Sequence, residues 1–466
     1  MRLCFNPSSP SNAVLNSIMR KVILKSALVA LTVVVPALMF AADPAPSQDV
    51  PPRLDLPGAI GFAIENNFAI RQARERIRQQ EGLLIEVRAR SIPNAGVSYY
   101  YTKFDKTRLE PYQRVSDQDW AVDLTVTQSV FAGGSISSSI AAQKYRREAA
   151  LFELRSVINN ALFGVRAKFY AVLLAKKKIS VAEQSLNLLE EQLKTVKDRY
   201  DAGTLSKFDL LRAQVAVANG RPPLIRARND FRISIEELRQ VLGFATVSAD
   251  NVAKLPEFLG ELTYEPTAIE LPAAIESARA NRPELQQLFK LEQAADKSLS
   301  AARGNYWPSL GIGAGYQIKK STADNDLNHT RDGWSAVAQG NWAIFDGRAT
   351  AGRVAQARSA LSQMKLTSAE QQLAIDVEVR RAFSTLQEAV ELVTASKAVG
   401  EQAEESVRLA KARFDAGTAT QLDVLQAQVA LTEARTNEVE ALYNHTVALA
   451  SLRKAMGVAD GFAPAS

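Results

Sequence analysis

The stretch Arg199–Ala216, RYDAGTLSKFDLLRAQVA, returns as Arg413–Ala430, RFDAGTATQLDVLQAQVA. Eleven of the eighteen aligned positions are identical, and the two copies start 214 residues apart (199 and 413). Other pairs of residues recur in the same order at an offset of 214 or 215: Leu56 and Leu271, Pro93 and Pro308, Trp120 and Trp334, Phe131 and Phe345, Gly133 and Gly347. The sequence therefore predicts an internal two-fold repeat of a unit of roughly 200 residues, far longer than a solenoid repeat.

The composition argues against a disordered chain and against a nucleic-acid-binding protein. Charged residues make up 23% and apolar residues 47% of the 466 positions, as in folded chains. The net charge is +6, but four basic residues precede the first acidic residue, Asp43, and without them the charge is only +2. That balance gives no reason to expect a nucleic-acid partner.

The N-terminal residues predict export from the cytoplasm. A basic start, an apolar run and small residues indicate a signal peptide over residues 1–41, with a retained membrane anchor as the alternative. No later segment is apolar for long enough to be expected to cross a bilayer as a helix. The single cysteine, Cys4, lies before the apolar run, so the mature chain has no disulfide.

The repeated residues divide the rest of the chain into two repeats, a connector between them and a C-terminal tail. The first repeat covers 42–243, with a β-hairpin at about 94–131 and a turn at 201–206. A connector at 244–270 precedes the second repeat, 271–457, with a β-hairpin at about 309–345 and a turn at 415–420. Residues 458–466 form a tail. The first repeat opens with one helix, Pro57–Arg90, which ends before Pro93.

Long helices follow each hairpin. Gly134–Tyr200 and Arg348–Phe414 each span 67 residues, or roughly 100 Å of helix. Helices of this length need antiparallel coiled-coil partners, and we expect two shorter helices to stack end to end beside each one. The prolines of Asn219–Pro223, NGRPP, are expected to kink or interrupt the returning helix.

The predicted strands have two unlike faces. Leu310, Ile312 and Ala314 alternate with glycines, which is typical of a strand between two environments. Aromatic residues concentrate in or beside the strands, as in the interfacial girdles of a transmembrane β-barrel, and a soluble sandwich is the alternative. Four strands per chain cannot close a barrel, so copies must join. The candidate membrane-interface aromatics are Trp120, Trp307, Trp334, Trp342 and Tyr316.

The repeated stretch itself predicts the tip of a helical hairpin. Gly203 and Gly417 are suited to the left-handed conformation that ends a helix. Ser206-x-x-Asp209 and Thr420-x-x-Asp423 have the spacing of capping boxes, which start the next helix. The two aspartates can therefore be structural or functional.

No residue pattern indicates catalysis, a metal site or a cofactor. Only two histidines are present, His329 and His445, without metal-ligand spacing. There is no phosphate-binding loop and no nucleophile elbow.

From Leu56 to Gly457 the chain resembles the TolC-like outer-membrane efflux proteins. The resemblance rests on LPxAI, on the aromatic-proline strand entry, on the FAGG and FDGR strand exits and on the paired DAGT tips. It implies a mainly α fold in which long helices form an α-barrel and β-strands add to a transmembrane barrel. It also implies a homotrimer in the outer membrane with a long periplasmic portion. Its partners would be a periplasmic adaptor (membrane fusion) protein and, through it, an inner-membrane pump.

The resemblance also implies roles for the tips. Gly203, Thr204, Leu205, Gly417 and Thr418 fall on the adaptor-docking tips. Asp209 and Asp423 fall at the periplasmic constriction, where Asp423 would form a ring of three carboxylates that attracts cations.

Positions that carry an ionic gate in the best-known family member are here Phe414, Ala419 and Gln426. This difference favours closure by helix packing over closure by ion pairs.

The function expected from these features is a passive exit duct for efflux or type I secretion. A periplasmic coiled-coil adaptor or scaffold is the alternative, because such proteins also use long helical hairpins. The cargo is left open.

Overall fold

The structure is a computed structural model that describes residues 53–105, 116–244, 257–264 and 266–458. The expected signal peptide (1–41), residues 245–256 and 265 of the connector and the tail beyond 458 lie outside the described residues. The chain divides into two compact units. The sheet unit comprises Leu83–Gln143 and Asp296–Arg358; the helical unit holds the described residues before Leu83, Lys144–Ala295 and the chain from Ser359 onward.

The described chain is mainly helical. Its helices are α1 (Leu56–Asn66), α2 (Phe68–Ala89), α3 (Ser135–Asp201), α4 (Lys207–Leu242), α5 (Leu271–Asn281), α6 (Pro283–Gly304), α7 (Ala349–Asp415) and α8 (Gln421–Ala455). Its strands are β1 (Arg53–Leu54), β2 (Asn94–Lys103), β3 (Gln118–Ala132), β4 (Glu257–Phe258), β5 (Ser309–Lys320) and β6 (Thr330–Asn341).

The first helix of each repeat is broken, contrary to the expectation of one helix over Pro57–Arg90. The break falls at Asn67, whose side-chain oxygen accepts from the backbone N–H groups of Ala69 and Ile70 and so caps α2. In the second repeat the break falls at Arg282, because Pro283 keeps the residue before it extended.

The returning helices end against these breaks. Gly243 follows α4 with φ +85°, and its backbone lies close to Asn66 and Asn67. Gly457 follows α8 with φ +69° and lies close to Asn281 and Arg282. The same junction therefore occurs twice, where two short helices meet beside a long one.

The proline pair does not interrupt α4. The helix continues from Lys207 to Leu242 through Pro222 and Pro223. The two prolines are exposed, as are Ala218 and Asn219, whose carbonyl groups lose their usual helical donors. Water can replace those donors, which explains why the helix tolerates the pair.

Side-chain contacts place the four tip-bearing helices in the order α4, α3, α8, α7. Arg228 of α4 pairs with Glu183 of α3 at 2.9 Å. The hydroxyls of Ser185 on α3 and Thr432 on α8 lie 2.9 Å apart. Arg435 of α8 pairs with Glu404 of α7 at 2.8 Å. Helices α3 and α8 are therefore the inner pair of this array.

The apolar core of the helical unit has its largest part around α3. This cluster joins α1, α3, α4 and β4, with Ile60, Phe169, Leu238 and Phe258 among its buried members. By length and composition, α3 contains a segment that could cross a membrane, so the expectation that no later segment is apolar enough is wrong. A helix that supplies the core has the same composition.

The four long strands form one sheet in the order β2-β3-β5-β6, with β2 and β6 at its edges. All three pairings are antiparallel. The β6 strand ends at Asn341, four residues before the expected end of the second hairpin. The two hairpins thus join through β3 and β5.

The register of the sheet separates its two faces, and the predicted alternation is confirmed. Val97 pairs with Leu124, Leu124 with Tyr316, and Tyr316 with Trp334, so all four lie on one face. The other face carries the row Ser98, Asp123, Gln317 and Gly333. One face is apolar and exposed, and the other is small or polar.

Candidate functional site: the paired helical tips

Each long helix ends in a glycine turn. Gly203 has φ +77° and Gly417 has φ +75°, the left-handed conformation expected from the sequence. Their amides donate to the carbonyls of Tyr200 and Phe414, at 2.9 and 3.1 Å. A Cβ atom built on either glycine meets nothing within 4 Å. Both turns therefore present bare backbone outward.

The hydroxyls next to the glycines close the turns. Thr204 Oγ1 donates to the Arg199 carbonyl at 2.8 Å, and Thr418 Oγ1 donates to the Arg413 carbonyl at 3.2 Å. Leu205 is half-buried in the cluster that packs the tips together. Four of the five candidate docking residues are thus exposed, and Leu205 packs inward.

Both predicted capping boxes are present. Ser206 caps α4, and its hydroxyl lies 2.6 Å from the Asp209 carboxylate. Thr420 caps α8, and its backbone N–H and hydroxyl donate to Asp423 Oδ2 at 2.7 and 2.8 Å. These hydrogen bonds, the backbone one foremost, and the nearby Arg413 charge lower the pKa of Asp423 below its ordinary value.

Arg199 connects the two tips. Its guanidinium donates to the Phe414 carbonyl at 3.2 Å and to Asp415 Oδ1 at 2.8 Å. It also lies over the Phe414 ring, 4.6 Å from the ring centre. Beneath it, Phe414 is buried with Val196, Ala213 and Val424, so one apolar cluster includes residues from all four helices.

An acidic groove of about 910 Å³ runs between α7 and α8 beside the second tip. Glu401, Glu405 and Asp423 line it, together with one arginine, Arg413. Gln426 and Ala419 line it too. Asp209 belongs to the other tip and does not line this groove. The structure therefore separates the two candidate gate aspartates into different surroundings.

The candidate interfacial aromatics fall into two groups along the strands. Trp307 precedes β5 and Trp342 follows β6, and Trp342 Nε1 donates to the Tyr306 carbonyl at 3.1 Å. Trp334 and Tyr316 are paired neighbours farther along the same two strands. Seven residues lie between Trp334 and Trp342, which places them about 27 Å apart along the chain, or roughly 20 Å along the axis of a barrel whose strands tilt by about 40°, somewhat less than the height of an apolar band.

Trp120 differs from the other four aromatics. Its side chain is buried, and its Nε1 donates to the Leu327 carbonyl in the β5–β6 loop at 3.3 Å. A residue covered by its own chain does not present its ring to lipid, so Trp120 is a packing residue of β3 that contacts the β5–β6 loop.

Three features of the tips were not anticipated from the sequence. These are the Arg199 link, its Asp415 partner and the two glutamates of the acidic groove. Arg199 and Arg413 occupy equivalent positions in the repeat, and the presence of arginine at both indicates a role for each. Their different roles depend on contacts between segments more than 200 residues apart. Within the described residues, no group of three or more His, Cys, Asp or Glu side chains is placed to hold a metal ion.

Comparison with known proteins identifies the family. The family model described as outer membrane efflux protein matches residues 59–244 and again 274–458. The chain belongs to the outer membrane efflux protein family. This outer membrane efflux protein is similar to the outer membrane efflux protein BepC of Brucella suis biovar 1, with 25% identity over 413 residues, 86% of this chain and 85% of BepC. It is also 23% identical over 337 residues to the outer membrane protein TolC of Vibrio cholerae, covering 72% of this chain and 76% of TolC.

A solved structure supports the same fold. The crystal structure of the Campylobacter jejuni CmeC outer membrane channel matches with a TM-score of 0.74 at 14% identity, over 86% of this chain and 85% of that one. As a member of the outer membrane efflux protein family, the protein is an outer-membrane channel for efflux or secretion, and the expected location is confirmed. The comparisons do not favour the periplasmic adaptor alternative. The family is one of transport channels.

Proposed function

We propose that three copies of this chain close into one duct across the outer membrane and that its helical tips dock a periplasmic adaptor protein. The adaptor would connect the duct to an inner-membrane pump that supplies the energy. The two-fold repeat then gives each copy two hairpin tips.

The observation that carries the proposal is that helices α4 and α7 each have two apolar faces. At 100° per residue, the buried residues of α4 and its exposed apolar residues lie about 160° apart around the helix. The same is true of α7. The exposed residues are Phe208, Leu211, Val215, Ile225 and Ile233 on α4, and Leu366, Leu373, Val377, Leu392, Val399 and Leu409 on α7.

A helix that is apolar on opposite sides packs between two neighbours. Within this chain α4 packs on α3 and α7 packs on α8, which covers one face of each. A second copy that places its α7 against this α4 would cover the other face. Such a contact joins unlike surfaces, so it generates a ring when the rotation closes.

The sheet supports association with other copies independently of the helices. Strands β2 and β6 are edges, and their apolar face is exposed. Unpaired edges are not tolerated in a bilayer, so β2 of one copy would pair with β6 of the next. Three copies is the number that the resemblance to the TolC-like family implies. Trp307, Trp334, Trp342 and Tyr316 would then lie near the two membrane interfaces.

At the tips, exposed backbone and small side chains would permit close approach by a partner. The acidic groove with Asp423 would line the periplasmic constriction. At the tips, the ion pair between Arg199 and Asp415 lies beside the apolar cluster that contains Phe414. Closure of the constriction would therefore rest on both the ion pair and the apolar packing.

The tips give a direct test. Changing Gly203 and Gly417 together to arginine should abolish export, because the bulky charged groups occupy the docking surface. Export is scored in a deletion strain, with whichever compound or secreted protein the wild-type gene restores. Trimers in the membrane fraction should persist, since a Cβ atom at either position meets nothing within 4 Å and the left-handed strain of arginine is confined to two exposed turns.

The matched control changes both glycines to asparagine, which tolerates the left-handed conformation. Export should then be retained. Full export by the arginine pair, with trimers present, would remove the tips from the docking surface.

A further inference from the structure

A cavity of about 300 Å³ lies in the helical unit, between α3 and the last turns of α8. Its lining includes apolar side chains of Leu162, Phe163 and Leu449. The same lining holds the cationic side chains of Arg166, Arg453 and Lys454. A volume at the lower end of the range for small-molecule sites, with apolar walls and a few convergent polar groups, is typical of a binding pocket.

The wall of the cavity contains a buried histidine. His445 is only 2% exposed, and its ring lies 4.8 Å from the ring of Tyr264, centre to centre. Tyr170 and Thr446 also line the cavity. These groups supply hydrogen-bonding partners next to the positive charges.

The residues at this cavity differ from their equivalents in the first repeat. The first-repeat equivalent of His445 is Phe231, which packs on the core with its ring 6.5 Å from that of Phe258. The equivalent of Lys454 is the neutral Gln240. The second repeat thus has an imidazole and an ammonium group where the first has an apolar ring and an amide. Packing alone does not require this exchange, because the first repeat packs without it.

The charge of the lining is one-sided. Within the described chain, its members include three cations and no carboxylate. Lys454 pairs with Glu378 outside the lining at 3.6 Å, which offsets part of the charge. The Lys454 ammonium also lies 5.4 Å from the centre of the Phe163 ring, so the cationic and apolar walls adjoin.

We propose that this cavity binds a small organic anion, an apolar body that carries one carboxylate. The carboxylate pairs with Arg453 and Lys454, and the apolar body packs on Leu162, Phe163 and Leu449. Charge-assisted hydrogen bonds from arginine suit a carboxylate, and the apolar wall favours an organic acid over an inorganic anion. The site is separate from the tips and does not depend on docking.

The test uses the full-length protein purified in detergent and 4-fluorobenzoate as the probe. Fluorine NMR should show saturable line broadening of the probe that unlabelled benzoate reverses. The neutral 4-fluorobenzamide controls for partition into micelles and should show no saturable broadening. Arg453→Gln should weaken binding by about tenfold, the effect of losing one charged hydrogen bond.

Two variants complete the design. Arg226→Gln removes an exposed arginine of α4 from outside the lining and should leave binding unchanged. His445→Phe installs the first-repeat residue and should weaken binding, because it removes the imidazole from the wall of the cavity. Equal broadening by the neutral amide, displacement by inorganic phosphate as effective as by benzoate, or unchanged binding in Arg453→Gln would each overturn the proposal.

Discussion

At the scale of single residues, Asp423 shows how one carboxylate can organise a tip. Its Oδ2 accepts two hydrogen bonds from Thr420, and the side chain remains exposed beside the acidic groove. Asp423 therefore takes part in capping α8, and its carboxylate can still face ions in the groove.

The lowered pKa of Asp423 predicts an acid-sensitive tip. A group whose pKa is lower in the folded state stabilises that state above its ordinary pKa, here 3.8, and loses the contribution as the pH falls through the lowered value. Hydrogen exchange of the amides of residues 420–424, corrected for intrinsic rates, should therefore show constant protection from neutral pH to about pH 5 and falling protection below about pH 4.

The control for this prediction is Asp423→Ala. It should lower protection at every pH and remove the acid transition, with protection at the Ser206–Asp209 tip unchanged. The same pH profile in the variant and the wild type would exclude Asp423 as the titrating group.

Residue-scale features were partly predictable from the sequence. The S-x-x-D and T-x-x-D spacings specify both capping boxes, because a cap needs only residues three positions apart. The Arg199 contacts with Phe414 and Asp415 join different repeats, so no local pattern contains them. Trp120 resembles the exposed aromatics by position, but its burial depends on the β5–β6 loop that contains Leu327.

At the scale of elements, the junction between helices is the feature most sensitive to substitution. A Cβ atom on Gly243 would lie 2.4 Å from the Asn66 carbonyl oxygen, and the residue has φ +85°. Gly243→Ala should therefore lower the free energy of unfolding by at least about 2 kcal/mol, through steric overlap and left-handed strain. Thermal melting followed by circular dichroism at 222 nm measures the change.

Gly61 gives the matched control. It lies within α1, and a Cβ atom there meets nothing within 4 Å. Gly61→Ala should be neutral or stabilising by up to about 1 kcal/mol, since alanine is the better helix former. Equal melting temperatures for the two variants would contradict the account of the junction.

The order of elements was predictable because hydrophobic period and turn residues are local. Both 67-residue helices agree with the predicted lengths and differ from the predicted positions by one residue. The breaks at Asn67 and Arg282 were not predicted, although Pro283 was a visible signal for the second. The helix continues through Pro222 and Pro223 although proline removes the usual helical donors to the carbonyl groups of Ala218 and Asn219. Those groups are exposed, so water can replace the donors.

At the scale of the whole molecule, a single chain leaves apolar surfaces and strand edges exposed. The helical unit has exposed apolar faces on α4 and α7, and the sheet unit has two open edges. These surfaces are costly for a protein that remains a monomer. Additional copies of the same chain would cover all of them, and they need no other partner to do so.

The most direct measurement is native mass spectrometry of the protein extracted from outer membranes in detergent. We expect three copies per particle for the wild type. Leu373→Glu places a charge on the exposed face of α7 and should shift the population toward single copies, and Gln372→Glu, which adds the same charge one position away, should leave three copies. A wild-type protein that is extracted as a single copy would contradict the account.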